Sequence, residues 1–190
     1  MYLVPGILGF IACCMFDMNK ILWNKKALNL FFVSGSLLLI GSTVICILQS
    51  DPAKIFSGFG IYPLTMLIGL ILSCAAEVYA LFFALPFSST YTESKQVPVV
   101  ESGWYRVCRH PGFWTLMFVY LFLWLLLGGH LLFYMFITYT FCNLLYVIMQ
   151  DLYIFPQYIR GYNDYKKTVP FLIPTRDSIR YLFSPNQHKN

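Results

Sequence analysis

The chain has 190 residues, 58% of them hydrophobic and 11% charged, with a net charge of +5. Ordinary soluble domains carry about 25% charged residues, so this chain lacks the polar surface to stay in water as a globule. The basic excess is scattered beside apolar runs, which favours membrane lipid headgroups over nucleic acid as its partner.

A helix that crosses a bilayer needs about 20 mostly apolar residues, within a range of about 17–25. Runs of that kind fall at 1–17, 27–49 and 61–87. A further pair lies within 112–149, divided at Gly128-Gly129-His130. The first run has no basic residues before it and no small-residue cleavage site, so it reads as a retained helix. The pair should be two helices joined by a very short turn, because glycine tolerates positive φ. Gly35, Gly41 and Ser42 read as helix-packing positions. Past Asp151 the chain is polar and aromatic, with prolines at 156, 170, 174 and 185, and should be a folded tail rather than another span. The expected fold is a single all-α integral-membrane domain over 1–190 with about five transmembrane helices, hence multi-pass. It comprises three spans in 1–87, a core in 88–174 that contains the hairpin, and a tail in 175–190.

Lys and Arg favour the cytoplasmic side. With the N-terminus outside and the C-terminus cytoplasmic, twelve of the thirteen basic residues lie inside, all but Lys54. That topology puts the 88–111 loop and the tail under one membrane face. The two ends of a tight hairpin lie side by side, so Arg109-His110-Pro111 should sit near Gln150-Asp151. The six cysteines show no paired metal spacing, and neither a disulfide framework nor a metal site is expected.

Gly103-x-Tyr105-x-x-x-Arg109-His110-Pro111, the hairpin, and then Tyr162-x-x-Tyr165-Lys166-Lys167-Thr168-Val169-Pro170-Phe171-Leu172-Ile173-Pro174 resemble the integral-membrane methyltransferases. That superfamily includes isoprenylcysteine carboxyl methyltransferase and phospholipid N-methyltransferases. The likeness covers about half the chain, 98–174. It implies a cytoplasmic S-adenosylmethionine pocket closed by the C-terminal segment, with a lipophilic or lipid-attached acceptor entering from the bilayer. Val99, Val100 and Gly103 match the part that cradles the adenosine. Tyr105, Arg109 and His110 match the polar lining, Pro111 completes the cofactor-binding motif, and Tyr162 and Tyr165 belong to the closing segment. The family carries two adjacent acids after the hairpin; Gln150 and Asp151 stand there, and Phe113 replaces a tyrosine common after the motif.

Methyl transfer from a sulfonium asks the protein for positioning and electrostatics. Arg109 is the candidate to orient a carboxylate acceptor through its fork, and His110 to bind cofactor or take a proton from an amine or thiol. Glu77, an acid within the third span, either faces the acceptor channel, where Phe113 is also placed, or is a protonated or snorkelling structural residue. Simpler roles stand beside these. Arg106 and Arg109 suit positive-inside anchors, His110 a hairpin cap, the tyrosines interfacial anchors, and Asp151 a salt bridge to a tail lysine or a helix cap. Cys108 between two arginines and His130 at the far turn complete the set. Two other functions fit the pattern: an NADPH-dependent membrane reductase of related fold, and a non-catalytic membrane module that retains the fold.

Overall fold

The computed structural model describes residues 1–50, 60–83, 97–99 and 103–183. Its long helices are α1 (Val4–Leu22), α2 (Leu30–Gln49), α3 (Ile61–Val78), α4 (Pro111–Leu127) and α5 (His130–Met149). Four stretches are long and apolar enough to cross a membrane: Val4–Leu22, Lys26–Gln49, Ile61–Leu81 and His130–Tyr158. The remaining expected span, α4, has 17 residues and reaches about 25 Å, somewhat short of a hydrocarbon core of about 30 Å.

The α4–α5 turn forms where the glycines predict it. Gly128 and Gly129 take φ of 70° and 83°, values that cost any residue with a Cβ. Pro111 opens α4, where its missing N–H costs nothing. The first span runs further than expected, to Leu22 rather than residue 17. Asp17 does not end it, because this buried acid accepts hydrogen bonds from Tyr146 and Gln150, and Lys20 is helical. Asn19 then shapes the exit: its amide oxygen accepts the N–H of Lys25 at 3.0 Å, and its Nδ2 donates to the Lys25 carbonyl at 3.0 Å.

Helix α1 crosses α2 at two glycines. A Cβ on Gly9 would come within 2.7 Å of the Gly35 carbonyl oxygen, so only small residues allow the approach. Ser42, on the same helix, accepts or donates a hydrogen bond with the Tyr139 hydroxyl at 2.5 Å. Around this point Phe10, Cys46, Tyr120, Leu123, Leu132, Met135 and Tyr139 form the buried apolar core. Helix α3 leans on α4, with Gly69 seated against the Phe122 ring. Gly41 meets nothing within 4 Å and has no packing role among the described residues.

Two wide π turns interrupt the helices: Tyr79–Phe83 at the end of α3 and Gln150–Ile154 at the end of α5. After the second come a single turn α6 (Phe155–Tyr158), then α7 (Tyr162–Thr168) and α8 (Arg176–Phe183). Helix α8 starts on a reciprocal cap, with the Thr175 N–H donating to Ser178 Oγ and the Ser178 N–H to Thr175 Oγ1. A short parallel ladder joins β1 (Val97–Pro98) to β2 (Ile159–Arg160), which the sequence pattern did not suggest. It ties the segment ahead of the Arg-His-Pro motif to the segment after α5.

Candidate functional site

The hairpin brings residue 109 to residue 151. Arg109 Nε donates to Asp151 Oδ1 at 2.8 Å and Nη2 to Oδ2 at 3.0 Å, a two-pronged pair with both side chains buried. Nη1 turns the other way and donates to the carbonyls of Val169 at 2.7 Å and Lys166 at 3.2 Å. The Arg109 backbone N–H donates to the Pro170 carbonyl at 2.9 Å. One arginine therefore binds the end of α5 to the end of α7.

Asp151 collects further donors. The Tyr162 hydroxyl reaches Oδ1 at 2.7 Å, His110 Nε2 lies 3.3 Å from the same oxygen, and Lys166 Nζ is 3.1 Å from Oδ2. Lys166 sits four residues after Tyr162, so both project from one face of α7. The salt bridge to a tail lysine, weighed for Asp151 from sequence, is present. The His110 ring stacks on Phe155, with centroids 5.6 Å apart and planes 9° apart, and meets Phe171 edge-on at 5.2 Å.

Burial sets the proton states outside the spans. His110 is pushed below its ordinary pKa, chiefly by desolvation, against the pull of Asp151. A neutral ring that donates Nε2–H to Asp151 leaves its lone pair on Nδ1. Burial, reinforced by the hydrogen bond to Asp151, holds Tyr162 as a phenol far above its usual pKa. Cys108 is pushed up to about 11 by burial, which keeps it a thiol and makes it a poor nucleophile despite the flanking arginines.

The other sequence candidates distribute as follows. Tyr165, buried beside Tyr162 and Val169, donates to the Tyr105 carbonyl at 2.5 Å, which draws the Gly-x-Tyr segment onto α7. Val99 packs against the same group. Gly103 has φ of 55°, starts a short 3-10 turn and is exposed. Val100 lies outside the described residues. Gln150 stands apart from this cluster, since its amide donates to Asp17 on α1 at 2.7 Å. Phe113 is buried edge-on to Trp114. Glu77 accepts a hydrogen bond from Thr115 across the α3–α4 contact, and its sequence neighbours Cys74, Ala75, Val78 and Tyr79 line an open apolar groove.

Asp17 was not singled out from sequence, and Lys166 and Phe171 stood only within the tail motif, without a role of their own. Asp17 had a usable signal, an acid at the end of an apolar run. Lys166 had one in its i+4 spacing from Tyr162. No protein-family model, curated protein or solved structure matches the chain.

Proposed function

We propose that the protein is an integral-membrane methyltransferase that uses S-adenosylmethionine and methylates a small lipophilic or lipid-attached acceptor at the cytoplasmic membrane face. In this arrangement all five long helices cross the bilayer, the N-terminus is outside and the C-terminus inside. The observation that carries the proposal is the convergence on Asp151 of the Arg-His-Pro motif, the end of the hairpin and the Tyr-x-x-Tyr tail. Residues 42 and 60 positions apart meet in one buried polar cluster.

The donor set fits the cofactor in kind. A buried carboxylate among aromatic rings suits a cationic sulfonium and ammonium, which would take the place of a donor now on Asp151, such as Lys166. Arg109 does not suit the cofactor's carboxylate, because four of its five N–H groups are already engaged among the described residues. Its work is to hold the closing segment. The bound cofactor would supply a methyl group on a positive sulfur, a leaving group that needs no acid. His110 Nδ1 can take the proton of an amine or thiol acceptor, while Nε2 stays on Asp151. Trp114 Nε1 donates to the Leu172 carbonyl at 2.9 Å and keeps the tail over the site, which excludes water. Glu77 and the groove lined by its sequence neighbours mark the approach of the acceptor from the bilayer.

A non-catalytic module is favoured by one specific observation, the saturation of Arg109 and Asp151 by each other and by the tail. Incubating lipid-reconstituted protein with methyl-tritiated S-adenosylmethionine and a membrane lipid extract separates the two. Label that enters the organic phase with wild type and not with His110→Ala supports transfer. Label that stays in water for both supports the module.

A further inference from the structure

Asp17 is buried at 5% exposure in the penultimate turn of α1. Its Oδ2 accepts the Tyr146 hydroxyl at 2.7 Å and the Gln150 amide at 2.7 Å. Tyr146 and Gln150 are four residues apart and flank the last turn of α5. Its Oδ1 lies 3.8 Å from Lys20 Nζ, and that ammonium sits 5.0 Å from the centre of the Tyr158 ring, at the end of α6. Helix α1 thus holds the chain just before the π turn Gln150–Ile154 and just after it. Adjacent residues on a helix project about 100° apart, and the π turn adds a residue to the loop, which sets the register of everything after it. Here Gln150 turns to Asp17 while Asp151 turns to Arg109.

We propose that Asp17 is a positioning residue for Asp151: by gripping Gln150 and Tyr146 it fixes the π turn in the register at which Asp151 meets Arg109 and the closing segment. A neutral donor is required at 150, because a carboxylate there would face that of Asp17 across one hydrogen-bond length, and like charges at such range repel. The acid on α1 and the amide on α5 form a matched pair whose polarity can be exchanged. This goes beyond methyl transfer and does not depend on it, since the latch exists whatever the site binds.

Hydrogen exchange of the full chain in nanodiscs tests it, read at the amides of 162–170 and needing no ligand. Gln150→Glu should speed exchange there by about tenfold, the effect of losing roughly one buried charged hydrogen bond. Adding Asp17→Asn should return it to near wild type, because the amide and the acid have changed places. Asn19→Ala, which cuts only the α1–α2 turn, should leave 162–170 unchanged. If Gln150→Glu does not fold, Tyr146→Phe serves, with 162–170 accelerated ahead of 30–49. Unchanged exchange at 162–170 in Gln150→Glu, no restoration by Asp17→Asn, or equal acceleration of both segments in Tyr146→Phe would overturn the proposal.

Discussion

Arg109 and Asp151, 42 residues apart, pair through two buried hydrogen bonds of 2.8 and 3.0 Å. The pair is the hinge pin of the molecule's polar end. Through Nη1 the same guanidinium also holds the carbonyls that finish α7.

Removing the charge at 151 should therefore be expensive. Asp151→Asn leaves Arg109 without its counter-ion in a buried setting, a change that costs on the order of 3–5 kcal/mol. The expected result is a large drop in thermal unfolding temperature in detergent. Arg109→Lys should recover little from Arg109→Ala, because an ammonium cannot serve the carboxylate and two carbonyls in one plane.

Tyr162→Phe removes one hydrogen bond to a charged acceptor, worth about 1.5–3 kcal/mol, and leaves the ring in place. Loss of stability should be measurable by the same melt and smaller than for Asp151→Asn. A neutral outcome would mean that the remaining donors suffice for Asp151.

His110 predicts a pH dependence with a definite sign. Its folded pKa lies below the unfolded one, chiefly because burial penalises the charged ring. The unfolded chain then binds more protons, so the contribution to stability is full above about pH 6.5 and is lost as pH falls from there through the folded value. Melts from pH 8 to 5 should show a decline that His110→Gln flattens.

At the other end, Gly35→Leu should separate α1 from α2. A Cβ there already comes within 2.7 Å of the Gly9 carbonyl oxygen, so a branched side chain forces the helices apart at about 1–3 kcal/mol or more. A lowered melting temperature, with proteolysis in the α1–α2 turn, is the expected outcome.

The hairpin was legible because two adjacent glycines sat between apolar arms of spanning length, and its geometry alone carried Arg109 to Asp151. What the pattern could not give was the divergence of Gln150 from Asp151. The two neighbours were read as one site, whereas adjacent helical residues point about 100° apart, and here Gln150 meets α1 while Asp151 meets α7. The length of α1 was missed because an acid after an apolar run reads as a terminus, whereas Asp17 is hydrogen-bonded to Tyr146 and Gln150 on the far side of the sequence. The β1–β2 ladder has two residues per strand and no alternation to detect. Glu77 was left between two roles, and its contact with Thr115 is a relation between helices that no local pattern encodes.

The most direct test of methyl transfer is calorimetric titration of nanodisc-held protein with S-adenosylhomocysteine, with NADPH as a parallel titrant and Tyr162→Phe and Asn19→Ala as variants. Methyl transfer predicts saturable binding of S-adenosylhomocysteine, weakened in Tyr162→Phe and unchanged in Asn19→Ala, with no response to NADPH. A folded protein that binds neither compound, or NADPH alone, would contradict it.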